Sequence, residues 1–490
     1  MKSFMLIALI TVSYLLTGCS GIQSKGELRT NESGARSLRE LHSQIERIID
    51  TTLRHQCVIG VTITSLDDSM ILYEKNSDIP FHPASNMKLL TTATGLNVLS
   101  PEFEFTNQVF TDGEIKDSVL HGNLAIKGSG DPLLKANDID SLASLIRGLG
   151  IQAITGDIVG DVTYFDVIAW GSGWMWDDEP EAYQPFISPL SLNSNAIEVS
   201  VNPGVAEGES LAVALNPPTS YFEIINTAVA SSDTLIPWLT VTRQRGTNRI
   251  VVQGRIPPKA GPQKFNLSVL KPEMFLLTIL KEALTRHGVA IGGSVHVDTI
   301  ARSFKLASLS HPLDSVLHEI DKVSDNLGAE NLLKTIAAEK FRKSGTSANG
   351  LRIVKEFLIS ARIDTTNINL ADGSGLSSYN LITPNSIVKL LQYEYANKGT
   401  FHRFIECLPI AGVDGTLKNR MKGTRAAMNV RAKTGTLFGA SSLSGYVTTA
   451  DWKLLAFSMM TNHYLGEIGD LRRAQDKIME TLVNLKLSNL

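Results

Sequence analysis

The sequence predicts an α/β (α+β) fold: one antiparallel sheet, flanked by helices, assembled from both ends of the chain around a large, mostly-β insert. Three observations predict it. Strand-like runs at 58–64 and 70–74, joined by an Asp67-Asp68-Ser69 turn, read as a hairpin near the start. Three more runs, 430–437, 442–448 and 454–461, alternate with short polar or glycine turns near the end. A helical pattern lies outside each set, and mirrored termini of this kind belong to one layered unit.

The elements follow in chain order. Ser37 with Glu40 reads as a capping box, and Leu38, Leu41, Ile45, Ile48 and Leu53 recur behind it at helical spacing. From about residue 103 to 297 the texture changes to short strand signals broken by Gly and Pro: GSGDP at 128–132, GDIVGD at 156–161, SVNPG at 200–204, NPPTS at 216–220 and IPPKAGP at 256–262. Helical periodicity there is confined to 139–149 and 273–287. Helices return after Leu306, notably over 326–343 and 350–358. The last, about 468–486, carries Leu471, Ala474, Ile478, Leu482 and Leu485 on one face.

A chain of 490 residues is too long for one ordinary core, so two or three domains are expected. Net charge is −3, which provides no field to attract nucleic acid. The ten histidines show no H-E-x-x-H or similar ligand spacing, so no metal and no cofactor is expected. Met1-Lys2 and the apolar run 4–16 have the form of a secretion signal, too short to span a bilayer. The run ends in Leu16-Thr17-Gly18-Cys19, which resembles a bacterial lipobox. That resemblance implies a signal peptide over 1–18, a lipidated Cys19 and a polar tether over 19–36. It places the folded part on the periplasmic side of the envelope, held to a membrane by lipid. Ser20, where an Asp would retain the protein at the inner membrane, favours the outer one. Cys57 and Cys407 are expected to be buried free thiols.

Three short motifs carry the chemistry. Ser85 and Lys88 are three residues apart before a helix-like stretch, so they share a face one turn apart. A serine hydroxyl is a weak nucleophile without a base, and a lysine whose pKa is lowered can be that base. Ser324-Asp325-Asn326 precedes the 326–343 helix, where such residues are also ordinary caps. Lys433-Thr434-Gly435-Thr436 lies in a strand-like run, where Gly suits close approach of a ligand or a bulge. Each motif alone is common; all three in this order are not.

That order, S-x-x-K, S-D-N, K-T-G, resembles the serine β-lactamase and penicillin-binding superfamily. The resemblance implies that Ser85 attacks, Lys88 takes its proton, Ser324 relays a proton to the leaving amine, and Asn326 holds Lys88 and the substrate amide. It implies that Lys433, Thr434 and Thr436 bind a terminal carboxylate, and that the N–H groups of Ser85 and Thr436 form an oxyanion hole. The long span from Ser85 to Ser324, with HPASNMKLLTTA (82–93), KGSGDPLL (127–134), GWMWDD (173–178), SDNLGAENLLK (324–334), DGSGLS (372–377), LPIAGVDGTLKNRM (408–421) and AKTGTL (432–437), is similar to the D-Ala-D-Ala carboxypeptidase/endopeptidase family S13, the DacB type.

Membership implies a transpeptidase-like catalytic domain over 37–102 and 298–490, with inserted domains over 103–297. The expected partners are peptidoglycan stem peptides and β-lactams. The family also implies an acid from the insert near the substrate's diaminopimelate side chain, here Asp177 or Asp178. One departure stands out: many relatives carry arginines after GSGLS, where this chain has Ser378-Tyr379-Asn380-Leu381. The alternatives are a β-lactamase or esterase of the same superfamily, or a non-catalytic lipid-anchored wall-binding protein. The long insert and the lack of a recognisable extra Glu-bearing loop argue against a class A β-lactamase, and the intact motifs argue against the non-catalytic reading.

Overall fold

The first strands of the chain pair with the last. The computed structural model describes residues 32–489 apart from 54–55, 233–237 and 301–303; Cys19 and the expected signal peptide lie outside the described residues. Helix α1 (Glu32–Thr52) leads into β1 (Val58–Ser65) and β2 (Ile71–Lys75), then α2 (Met87–Val98). The insert contributes α3 (Ala136–Gly148) and α4 (Pro272–Arg286). The chain returns through α5 (Leu313–Lys322), α6 (Asn326–Phe341), α7 (Ser347–Ser360), α8 (Pro384–Ala396) and α9 (Phe401–Cys407). It closes with β3 (Arg431–Leu437), β4 (Ala440–Thr448), β5 (Leu454–Asn462) and α10 (Ile468–Asn484).

These five strands form one sheet in the order β3-β4-β5-β1-β2. Every pairing is antiparallel, and β1 lies on β5 from Val58 opposite Asn462 to Ser65 opposite Leu455. Both faces are covered, which explains the near-continuous apolar runs. Leu41, Ile45 and Ile49 of α1, with Ile478 and Leu482 of α10, cover one face over Val61, Ile63 and Phe457. On the other face Ala456 and Met460 meet the core of α2, α5, α6 and α8. Helix α2 is buried from Met87 to Leu96, polar residues included, so it is a central helix with no solvent face.

Helix α1 already runs at Glu32, so Ser37 lies inside it, and the expected capping box at Ser37 and Glu40 does not start it. The tether expected over 19–36 therefore ends before residue 32. Once the apolar stripe of α1 docks, extending the helix by a turn costs little. Cys57 is half-buried and Cys407 buried, and both are free.

The insert holds four further sheets among the described residues. Its five-stranded sheet takes the strands 295–297, 158–161, 124–127, 104–111 and 304–312 in that order. The exit strand, Phe304–Pro312, lies antiparallel on the entry strand, Glu104–Thr111. The sheet thus includes residues beyond 297, where the insert was expected to end. Farther out, a module of two sheets spans 196–268 and contains the hairpin of strands Trp238–Arg243 and Arg249–Ile256.

Helix α6 joins the insert to the unit built on the β3-β4-β5-β1-β2 sheet. Its residues 327–338 are all buried, charged ones included. Asn331 Nδ2 donates to the Gly130 carbonyl at 3.0 Å, inside the GSGDP string. Lys334, with its side chain 1% exposed, bonds Asp166 at 2.6 Å and the Ile168 carbonyl at 2.5 Å, beneath the Phe165 ring. Breaking a buried pair leaves an unpaired polar group behind. Lys334→Met is therefore expected to lower unfolding stability by about 3 kcal/mol. An unchanged urea midpoint would exclude Lys334 as a latch between the two parts.

Candidate active site

Ser85 sits in a single 3-10 turn, Ala84–Asn86, that runs into α2. Ala84 has φ of +48°, a conformation a residue with a Cβ holds only when its surroundings impose it. Here they do. The Asn86 amide is bonded between Ser444 at 2.6 Å and Ser442 at 2.9 Å on β4, and Ser442 Oγ donates to the Pro83 carbonyl at 2.6 Å. Gly435 lies directly against this turn: a Cβ there would come within 2.7 Å of the Pro83 oxygen. Close approach does require glycine in β3: the Ser442 hydroxyl and the Ser85 turn would both meet a Cβ there. Gly375, at φ +82°, presses on the Ala84 carbonyl from the other side.

Lys88 projects from the first turn of α2 and is wholly buried. Its Nζ bonds Ser85 Oγ at 3.1 Å, Asn326 Oδ1 at 2.5 Å and the Ser374 carbonyl at 2.7 Å. All three partners are neutral. Burial pushes the amine down to about 8, against the pull of Asp372, Asp325, Glu330 and Asp321. Burial raises Glu330 to about 8 and Asp325 to about 6, and it raises Asp321 as well. Asp372 is held by N–H groups of Gly375 and Ser377 and by the Asn380 amide, each at 2.7 Å, and by Trp174 Nε1 of the insert at 2.8 Å. Glu330 accepts from the Gly373 and Ser374 N–H groups at 2.9 and 2.8 Å. The DGSGLS turn is thus fixed by two buried acids, and it presents the Ser374 carbonyl to Lys88.

The second motif divides its labour. Asp325 is the N-cap of α6, accepting from Leu327 and Gly328 N–H groups at 3.1 and 3.0 Å. Ser324, at φ +68°, and Asn326 are left to face the site. Asn326 bonds Lys88 through its oxygen and donates through Nδ2 to the Tyr183 carbonyl of the insert at 2.7 Å. Ser324 Oγ is bonded by Lys433 Nζ at 2.9 Å.

The third motif lies on the outer edge of the sheet. Lys433 is fully buried behind Ser324, also bonds the Thr434 carbonyl at 3.0 Å, and is not itself a wall of the cleft. Burial and the nearby Lys88 push its amine down. Thr434 Oγ1 donates to Thr416 Oγ1 at 2.7 Å, so the turn at 414–416 supports the strand. Ala432 N–H points off the sheet, to the Pro409 carbonyl at 3.0 Å. Strand geometry alternates, so the N–H groups of Thr434 and Thr436 point to the same outer edge. Thr436 is exposed and lines the cleft beside Ser85.

The cleft itself has a volume of about 870 Å³. Ser85, Ser324, Asn326 and Thr436 converge on it, and Met175, Asp178 and Tyr183 close it from the insert. Asp178 is a wall residue and accepts from the Tyr183 hydroxyl at 2.8 Å. Asp177 is not among the lining residues; its carbonyl accepts from Arg245 at 2.9 Å. Ser378 lines the cleft where a guanidinium was the family expectation, and no Lys or Arg is among the described lining residues. Phe438 and Leu465, 98% and 79% exposed, form an apolar rim. Sequence reading missed Asp321, Glu330 and Tyr183. A buried acid inside a helical run has no signature of its own, and Tyr183 acts through its main chain.

This arrangement has known counterparts. A family model described as D-Ala-D-Ala carboxypeptidase 3 (S13) matches residues 41–485. The D-alanyl-D-alanine carboxypeptidase of Actinomadura sp. (strain R39) is 35% identical over 456 residues, covering 89% of this chain and 83% of that protein. The D-alanyl-D-alanine carboxypeptidase DacB of Haemophilus influenzae is 28% identical over 419 residues, 84% of this chain and 86% of that one. The crystal structure of penicillin binding protein 4 (dacB) from Haemophilus influenzae superposes with a TM-score of 0.81 at 26% identity, over 90% of this chain and 99% of that one. The three motifs, their convergence on one cleft and the match along nearly the whole described chain lead to one conclusion: this chain belongs to the D-Ala-D-Ala carboxypeptidase 3 (S13) family.

Proposed function

We propose that the chain is a serine-type D-Ala-D-Ala carboxypeptidase acting on peptidoglycan stem peptides through an acyl-enzyme on Ser85. One observation carries this reading: Ser85 Oγ lies 3.1 Å from a buried Lys88 amine with only neutral partners, at the floor of an open cleft. Ser85 Oγ attacks the carbonyl carbon of the penultimate D-Ala, and its proton passes to Lys88. The oxyanion accepts from the Ser85 and Thr436 N–H groups. As the C–N bond breaks, the terminal D-Ala amine takes a proton through Ser324, and water then cleaves the ester. The substrate's terminal carboxylate meets the Ser324 and Thr436 hydroxyls, with the Lys433 ammonium behind Ser324. Asp178 offers a carboxylate to an amine on the peptide side chain. A β-lactam opened by the same attack remains as a stable ester on Ser85.

Two outcomes test the mechanism. A labelled penicillin should add covalently to the purified protein, and Ser85→Ala should abolish the mass shift; a persistent adduct would sink the nucleophile assignment. Lys88 must be neutral to accept the proton. With its amine near 8, the acylation rate should rise with pH from 6.5 to 8.5 and then level off. A flat profile over that range would remove Lys88 as the base. Muropeptide digestion, with monomeric and crosslinked substrates resolved by mass, separates carboxypeptidase from endopeptidase action.

We also infer that Cys19 is lipidated and that the enzyme works on the periplasmic side of the envelope. The apolar run before Leu16-Thr17-Gly18-Cys19 supports this, as does a substrate that is part of the cell wall. Labelled palmitate should tag the full chain grown in its host but not Cys19→Ser, and an untagged wild type would refute the anchor.

A further inference from the structure

The amide of Asn326 has to face one way for the site to work. Its oxygen accepts from Lys88 at 2.5 Å and its nitrogen donates to the Tyr183 carbonyl at 2.7 Å. Turned over, it would set donor against donor at Lys88 and acceptor against acceptor at Tyr183. The group that fixes its polarity is thus a main-chain carbonyl belonging to the insert, in a loop with one 3-10 turn at Trp176–Asp178 and a β-bridge from Glu181 to Leu267.

That loop is gripped from the outer module. The Arg243 side chain is 0% exposed, at the end of strand Trp238–Arg243. Each of its five N–H donors is used. Nε donates to the Ser268 carbonyl, Nη1 to Glu179 Oε1 and the Thr247 carbonyl, and Nη2 to the Glu179 carbonyl and Ser268 Oγ, all between 2.7 and 3.1 Å. Glu179 is therefore held by side chain and main chain at once, and it accepts in addition from Gly246 N–H at 2.9 Å. Two residues on, Arg245 lies 4.4 Å over the Trp176 ring and donates to the Asp177 carbonyl. Bonds inside the loop carry the grip forward: Gln184 Nε2 to the Met175 carbonyl at 2.7 Å, and the Tyr183 hydroxyl to Asp178 at 2.8 Å.

We propose that Arg243 is a positioning residue for the acyl-transfer site: by fixing residues 176–184 it sets the Tyr183 carbonyl, which orients the Asn326 amide and so holds Lys88. The proposal rests on the acyl-enzyme reading above. It gives the outer module, remote from Ser85 in the chain, a part in the proton transfer as well as in walling the cleft.

Arg243→Lys tests it, because charge is kept while at least two of five bonds are lost. The charged groups facing Lys88 are untouched: Asp321 on α5, Asp325 and Glu330 on or beside α6, Asp372 in its turn and Lys433 on β3. Stopped-flow acylation by benzylpenicillin should slow about tenfold or more. The acid limb of its pH profile should move to lower pH, since a Lys88 ammonium without the Asn326 oxygen loses its proton more readily. Arg245→Ala, a change at the surface, should move the limb the same way with at least a twofold slowing, and it decides the matter alone if Arg243→Lys does not fold. A folded variant acylated within about twofold of wild type, or slowed with its limb unmoved, overturns the proposal. A wild type that is not acylated at all overturns the parent reading and this one with it.

Discussion

A lysine amine buried without a carboxylate in contact is an expensive thing for a fold to hold. In water it is a cation; wholly enclosed, its charged form loses hydration that a hydroxyl, an amide oxygen and a carbonyl replace only in part. The fold answers with acids kept at a distance. Asp372, Asp325, Glu330 and Asp321 all pull on Lys88 through space, yet the first three are engaged elsewhere, by N–H groups, a cap or an indole. A direct partner would lock the amine as ammonium, and too few acids would leave it unable to take a proton. A value near 8 lies between these failures.

Left-handed backbone recurs along the chain, and it occurs at this site too. Ala84 and Ser324 both hold left-handed backbone, and each stands next to a group that must point into the cleft. Neither is held by its own segment. Ala84 is caught between Gly375 and Gly435, whose missing side chains let two separate elements close on the turn. Ser324 sits where α5 ends and α6 begins, fixed by the Asp325 cap on one side and the Lys433 ammonium on the other.

How much of this was legible in the sequence follows from where each interaction is encoded. The sheet was readable because its strands are local apolar runs with turn residues between them, and the mirrored order at the two ends implied their pairing. Ser85 with Lys88 was readable because one helical turn sets their distance. The insert showed its β texture but not its exit, since pairing of 304–312 with 104–111 is a long-range choice that no local signal states. Gly435 was noticed for close approach to its backbone, and within the protein the Ser442 hydroxyl and the Ser85 turn make that approach. Asp177 and Asp178 were indistinguishable as letters; only the direction of the 3-10 turn separates a cleft wall from a loop held by Arg245. The Tyr183 carbonyl was illegible in principle, because every residue has one.

The pairing of β1 with β5 has a bearing on when the enzyme exists at all. The strand that precedes Ser85 has its long partner near the C-terminus, and the Ser85 turn leans on β3 and β4, which are made almost as late. A chain synthesised from its N-terminus presents Ser85 and Lys88 early, but with no sheet edge, no Thr436 and no Ser442 to shape them. Ser85 and Lys88 stay without their surroundings until the final strands have emerged. A hydrolase of the wall thus carries its own delay: fragments from interrupted synthesis lack the assembled site, however much of the insert has folded.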